Sequence, residues 1–305
     1  MSEQISASIG DVAVVQSSTD RLILDVLPPE HFEARRIPSA RNACVYEVTF
    51  LQQVSALADD KKMAIIVYGA GEDSLDAVTA AEKLGRDEYE NVAVFHGGLP
   101  AWKKAGKILE GTHAEQEEPA HPVLELRKNR YNAIPEESTV SWTGRNYTSR
   151  HTGTVAIKNG VLDCEKEDLQ GSFTMAMESI ANADLAVSEL QPVLEAHLKS
   201  DDFFFVSRFP SCTVEITSMR PIPGACATMP NYSVQAVMTL RGNAQSFAFE
   251  ANLRPLAEGR IALMANFDLD RTQWGVIYGS ARFFKFLSYH IVFDIISIDL
   301  RVVLE

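Results

Sequence analysis

From about Arg130 to the end of the chain, hydrophobic side chains fall on alternate positions. STVSWTGRN, TGTVAIKNG, LQGSFTMAM, SCTVEITSMR, SVQAVMTLRG, QSFAFEANL, GRIALMANFDL and IVFDIISIDLRVVL each carry this period, with glycine or polar turns between them. Period two marks strands with one buried and one solvated face. Eight such strands of ~8–10 residues predict a closed, all-β antiparallel barrel. One stretch breaks the rule. Over Ser188–Leu198, the residues Leu190, Val193, Leu194 and Leu198 recur at helical spacing and predict a helix capping one barrel mouth.

Before residue 110 the pattern is different. Short apolar runs at Arg21–Leu27, Met63–Tyr68 and Val92–Phe95 alternate with helical periodicity near Glu47–Ala58 and Ser74–Leu84. That alternation predicts an α/β unit around a parallel sheet. AIIVYG and NVAVFHGG are continuously apolar, as strands covered on both faces must be. Between Lys107 and Pro122 the text KILEGTHAEQEEPAHP has neither period and predicts a linker. The expected division is 1–110 and 130–305, joined by 111–129.

A chain of 305 residues is long for one core and suits two. The net charge of -13 disfavours nucleic acid phosphates and anionic lipid headgroups as electrostatically held partners. Residues 1–120 hold eleven basic against twenty acidic side chains, so most of the excess lies in the first half. Four cysteines, Cys44, Cys164, Cys212 and Cys226, are too sparse for a disulfide framework and make no close metal-ligand pair. His151, His197 and His290 are likewise far apart, so no metal is expected. MSEQISASIGDVAVV has no basic-then-apolar leader, and no apolar run approaches ~18 residues. The expectation is a cytoplasmic protein without a membrane span.

Four segments of the first half resemble the rhodanese family: LILDV at Leu22–Val26, HFEARRIPSARN at His31–Asn42, IIVYG at Ile65–Gly69 and NVAVFHGGLPAWKKAG at Asn91–Gly106. The resemblance implies a parallel sheet flanked by helices, and a catalytic cysteine directly after the Val-Tyr strand in a loop of backbone N–H groups. This chain has Gly69 there, in a loop reading Gly69, Ala70, Gly71, Glu72, Asp73, Ser74. The nucleophile is absent, and Glu72 and Asp73 repel anionic sulfur donors. No catalytic residue is expected. Asp25 and His96 are read as structural, and the loop as a surface for a protein partner or the second domain.

Residues 130–305 resemble the YceI-like family, through STVSWTGRN, HTGTVAIKNGVLD, LEAHLKSDDFFFVSRFPSCTVEITSM, MTLRGNAQSFAFEANL and FDLDRTQWGVIYGS. The resemblance implies a lipocalin-like barrel whose apolar cavity takes an isoprenoid chain, such as a quinone tail or polyprenyl lipid. The expected lining is Trp142, Phe173, Met175, Met177, Phe203, Phe205, Phe247, Phe249, Met264, Phe283, Phe284 and Phe286. Arg145, Tyr147, His197, Arg271, Tyr278 and His290 are the candidate polar groups at a mouth, with Arg271 and His290 foremost. Asp201, Asp202, Asp268 and Asp270 are read as turn residues.

The resulting expectation is a non-catalytic binder of a hydrophobic isoprenoid-type ligand, needing no cofactor, with the first domain docking or regulating and a homodimer as its assembly. Two rivals stand beside it: a sulfurtransferase working through Cys44, and an interaction module whose barrel is packed solid.

Overall fold

The computed structural model describes residues 5–15, 21–116 and 121–305. The chain divides into two compact units, Met1–Glu118 and Pro119–Glu305, each with its own core. Of the expected linker, residues 117–120 lie outside the described residues. Among the described residues no helix is long and apolar enough to cross a membrane.

In the first unit, strands β1 (Ile5–Ser6), β2 (Arg21–Asp25), β3 (Arg41–Asn42), β4 (Ala64–Tyr68) and β5 (Val92–Phe95) form one parallel sheet in the order β1-β5-β4-β2-β3. Helices α1 (Ile9–Val15), α2 (Pro29–Ala34), α3 (Phe50–Leu57), α4 (Asp76–Arg86) and α5 (Gly98–Lys104) connect and cover it. The apolar runs are continuous because both faces are buried. Ile65 and Val67 of β4 point into a core with Phe50, Val54 and Leu84, while Ile66 and Tyr68 point the other way, towards Ile23, Phe95 and Trp102. Helix α4 buries Ala77, Ala80, Ala81 and Leu84 along one stripe and carries Lys83 and Arg86 in its last turn.

The second unit holds β6 (Arg130–Asn132), β7 (Thr139–Arg145), β8 (Arg150–Asp163), β9 (Leu169–Asn182), α6 (Leu190–Lys199), β10 (Ser211–Pro221), β11 (Tyr232–Leu240), β12 (Asn243–Pro255), β13 (Ile261–Asp270) and β14 (Ile295–Leu304). Eight antiparallel strands, β7 to β14, close a ring in which β8 pairs with both β7 and β9. The short β6, which the periodicity did not mark, continues the β7 edge by pairing with Val161–Asp163. Strands β8 and β9 run to 14 residues, longer than expected. Register shifts between Thr154 and Ala156 and between Ile157 and Asn159 bend this long pair enough to close the wall. Gly160 lies under the ring of Phe173, where a Cβ would collide with the aromatic carbons.

Helix α6 packs against β9, with Gln191 Nε2 donating to the Asn182 carbonyl (2.9 Å) and the Asn182 amide donating to Glu195 (2.9 Å). Its apolar stripe is narrower than expected. Leu194 and Leu198 pack inward, whereas Leu190 and Val193 are exposed.

Candidate functional site

The alternating strands bring one end of the barrel to the loops 146–149, 183–210, 241–242 and 271–294, and the other to the turns near 164–168, 222–231 and 256–260. The second end is solid. Tyr131, Leu162, Leu169, Met219, Leu253, Ile261 and Leu304 are almost wholly buried, and none lines the cavity above them. Above this floor the interior is hollow, with a cavity of about 140 Å³. Apolar cavities of roughly 150 Å³ lined by Leu, Ile and Phe stay dry and take up benzene.

The lining is a direct product of the pleat. Strand β9 supplies Phe173, Met175 and Met177 at every second position, and β14 supplies Ile296, Ile298, Leu300 and Val302. Val140, Trp142, Val155, Ile157, Ile180, Val214, Ile216, Met238, Leu240, Leu263 and Leu269 add to the apolar wall, and among the described residues no charged side chain lines the cavity. Phe204, from the segment after α6, is half-buried and lines the cavity from the loop-bearing end. Cys212 also lines the space; burial pushes its thiol up to about 12, which makes it inert. The Trp142 indole N–H is buried without a hydrogen-bond partner, as are Asp25 Oδ2 and Arg260 Nε elsewhere among the described residues. A buried donor left unmade costs about 1–3 kcal/mol.

One side of this wall is held by rings rather than by backbone. β12 and β13 pair only through Asn252–Pro255 with Ile261–Met264. Beyond that, Phe247, Phe249 and Phe267 fill the seam, with Phe249 and Phe267 stacked at 4.5 Å and Phe247 and Phe249 at 5.5 Å. Trp274 closes its top edge-on to Phe247 at 6.3 Å and is pinned by its indole N–H donating to the Met238 carbonyl (2.8 Å).

Of the expected lining, Trp142, Phe173, Met175, Met177, Phe247 and Phe249 converge on the cavity. The others do not. Met264 has the opposite pleat parity to Leu263 and Phe267 and lies on the outer face. Phe203 is buried in the roof between His197 (4.9 Å) and Tyr278 (5.1 Å), and Phe205 packs edge-on against Phe209. Phe283, Phe284 and Phe286 are exposed on the loop after β13, because that segment leaves the barrel instead of continuing a strand.

The expected polar anchors also have other occupations. Arg271 is buried and donates to the carbonyls of Val276 (2.6 Å), Tyr278 (2.7 Å), Val292 (2.9 Å) and Phe293 (3.0 Å), clamping the base of the 271–294 loop. Burial holds its guanidinium below the usual value, with Asp294 at 3.8 Å opposing. His290 is exposed, with Nδ1 3.2 Å from the Tyr278 hydroxyl. His197 pairs with Asp202 (3.2 Å), and Arg145 donates to Ser297 (2.8 Å). Asp270 accepts from the amide (3.0 Å) and hydroxyl (2.6 Å) of Thr272 and so caps the turn 271–274, while Asp268 accepts from Ser297 (2.6 Å). The sequence reading missed the aliphatic lining because valine, isoleucine and leucine at these positions look like ordinary core. The shared parity of Phe173, Met175 and Met177 was the usable signal.

In the first unit, Gly69 follows β4 directly, and the loop closes onto α4 through Asp76. This carboxylate is buried. Its Oδ2 accepts from the Ala70 amide (3.0 Å) and the Ser74 hydroxyl (2.8 Å), and Oδ1 accepts from the Ala77 amide (2.6 Å). A Cβ placed on Gly69 would fall on that carboxyl group. Glu72 and Asp73 point to solvent. Cys44 is buried on the far side of β2 from Gly69, on a segment whose neighbours Ala43 and Val45 pair with the end of β2. His96 is exposed. Asp25 is fully buried, and that burial pushes its carboxyl up to about 6, against the hydrogen bond donated by the Leu27 amide (2.9 Å).

Comparison with known proteins gives two domain matches. Residues 131–304 match the YceI-like domain and residues 8–105 the rhodanese-like domain. Among solved structures, BcnA of Burkholderia cenocepacia is 17% identical over 56% of this chain and 98% of its own, with a TM-score of 0.43. A polyisoprenoid binding domain from Saccharophagus degradans is 14% identical over 57% of this chain and 97% of its own, with a TM-score of 0.42. The Alr3790 protein of Anabaena is 29% identical over 31% of this chain and 70% of its own, with a TM-score of 0.28. No curated protein matches the chain.

Proposed function

The chain belongs to the YceI-like family, and from that membership we propose that its barrel sequesters or carries one water-insoluble isoprenoid-type molecule, a quinone or a polyprenyl lipid. The observation that carries the reading is the hollow, uncharged interior above a packed floor. Each ~100 Å² of apolar guest removed from water contributes about 2.5 kcal/mol before ordering costs, so no ionic anchor is required. The cavity as it stands matches a guest of about benzene size, and a longer chain needs the wall to yield. Met175, Met177 and Met238 are unbranched and re-pack readily, and beyond Asn252 and Met264 the β12–β13 seam lacks a hydrogen-bonded ladder.

The first unit acts in this reading as a docking or regulatory module, not a sulfurtransferase. Gly69 stands where the nucleophile belongs, and the Asp76 carboxylate already takes the donors that would hold an anion. Tyr46 lies against Ser74, and the exposed side chains of Tyr46, Leu75, Glu72 and Asp73 offer an acidic, partly apolar face suited to a basic protein partner. The four cysteines are all free thiols, which supports a reducing, cytoplasmic setting.

The test is organic extraction of the purified full chain followed by mass spectrometry, with titration of the emptied protein by a short-chain quinone. A long-chain lipid at one per chain, or saturable uptake of the quinone, is expected. A clean extract together with no uptake would overturn the carrier reading.

A further inference from the structure

The loop between β13 and β14 is the most apolar surface feature of the second unit. Phe283, Phe284, Phe286 and Tyr289 lie within seven consecutive residues and are all exposed, Phe286 completely. Phe286 and Ser288 also hold φ of 60° and 49°, in the left-handed region that side chains other than glycine rarely adopt. Backbone strain of this kind persists where the surrounding structure enforces it, and here it turns a phenyl ring into water. The loop is not slack. Arg271 clamps its base, and Val292 N donates to the Gly279 carbonyl (2.9 Å) to close its neck. The neighbouring β7–β8 hairpin adds Tyr147, exposed and edge-on to Phe293 at 5.5 Å.

We infer that this rim inserts into the interfacial layer of a phospholipid bilayer, and that the barrel exchanges its guest there. The occupant follows from composition. Aromatic rings mixed with cations sit at the headgroup level of membranes, where apolar bodies are buried and polar edges stay wet. From Arg271 to Phe293 the chain holds Arg271, Arg282 and Lys285 and no acidic residue, although the whole protein carries -13. Arg282 is paired with Asp270 (2.9 Å) and Asp294 (3.5 Å), but Lys285 makes no ion pair among the described residues, and Arg150 lies exposed at the adjoining hairpin. Arg271 is buried and Arg282 is neutralised, so only Lys285 and Arg150 offer exposed positive charge to an anionic surface, while acidic residues of the neighbouring 183–210 loop and the global charge oppose it; insertion of rings and not long-range attraction holds the contact. Place matters as well. The rim lies at the end opposite the packed floor, and its loop leaves from β13, one side of the aromatic seam. The exchange of a guest rests on the carrier reading, whereas the docking does not.

The experiment is co-sedimentation of the full chain with vesicles of phosphatidylcholine, alone and mixed with phosphatidylglycerol. Binding to both is expected, stronger with the anionic mixture, and added salt should remove only that increment. The triple variant Phe283→Ser, Phe284→Ser, Phe286→Ser changes only exposed side chains, so circular dichroism should match the parent. It should lose at least about tenfold in partitioning, while Lys285→Glu loses only the anionic increment. Absence of wild-type sedimentation, or a triple variant that binds like wild type, would overturn the proposal. So would a triple variant that binds vesicles normally but falls from dimer to monomer in light scattering, which would make the rim a contact between copies. Extraction of the same samples keeps the two readings apart: guest present without sedimentation leaves the carrier standing and removes the docking, and sedimentation with neither extracted guest nor quinone uptake does the reverse.

Discussion

Two concave places in this molecule have opposite contents. The cradle between β4 and α4 offers backbone and hydroxyl donors, and the chain satisfies them itself with the carboxylate of Asp76. The barrel interior offers almost nothing polar, and above its floor the chain leaves it empty. Unmade hydrogen bonds in a buried cradle are costly, so a polar site without its substrate is readily closed by a nearby side chain. An apolar void forfeits dispersion contacts, a smaller and more diffuse cost that a stable wall tolerates. The polar site is therefore closed by its own chain, and the apolar one stays open.

The strongest way to test that contrast is to attack the wall. Phe173→Ala removes the ring that covers Gly160 and enlarges the cavity, and should destabilise the second unit by about 3–5 kcal/mol. Scanning calorimetry of the full chain should show one transition falling while the other stays. If the remaining wall collapses into the space, the loss will be much smaller and the void is not rigid.

Asp25→Asn tests the polar unit by titration. Burial raises this carboxyl from 3.8 to about 6 in the folded state, so folding disfavours its charge. Below about pH 4 both states are protonated and the wild type bears no penalty; between pH 4 and 6 the unfolded state ionises first and stability falls; above pH 6 the loss is complete. The asparagine variant should therefore match wild type near pH 4 and exceed it by roughly 3 kcal/mol at pH 7. Equal pH profiles in denaturant melts would show that Asp25 ionises freely.

Gly69→Cys asks whether the closed cradle has room for a nucleophile. Because Asp76 occupies that space, the single variant should lose about 1–3 kcal/mol and show neither thiosulfate sulfurtransferase activity nor fast thiol labelling. Gly69→Cys with Asp76→Ser should label faster. Rapid labelling of the single variant would mean that the carboxylate moves aside easily. The smallest effect is expected from Val214→Trp, which fills the cavity from β10. Quinone uptake should weaken about tenfold, equivalent to ~1.4 kcal/mol, with little change in melting. Undiminished uptake would place the guest elsewhere.

The sequence by itself determined the kind of each unit. Continuous apolar runs on β2, β4 and β5 required burial on both faces, and strict alternation from β7 to β14 required a wall with an inside and an outside. The rhodanese resemblance also gave the expectation that Gly69 replaces a nucleophile, because chemistry of that sort needs a particular residue at a particular spot. Tertiary structure alone decided where the rings go. Met264, Phe205 and Phe283 are as apolar as Phe173, yet pleat parity sends the first outward, a left-handed turn takes the second aside, and a loop carries the third into solvent. Asp76 and Arg271 were equally opaque, since a charged residue in text does not reveal that its partners are backbone groups of its own loop. Hydrophobic period is a local property and can be read along a chain, whereas the presence of an empty volume depends on how eight strands meet, which no local pattern contains.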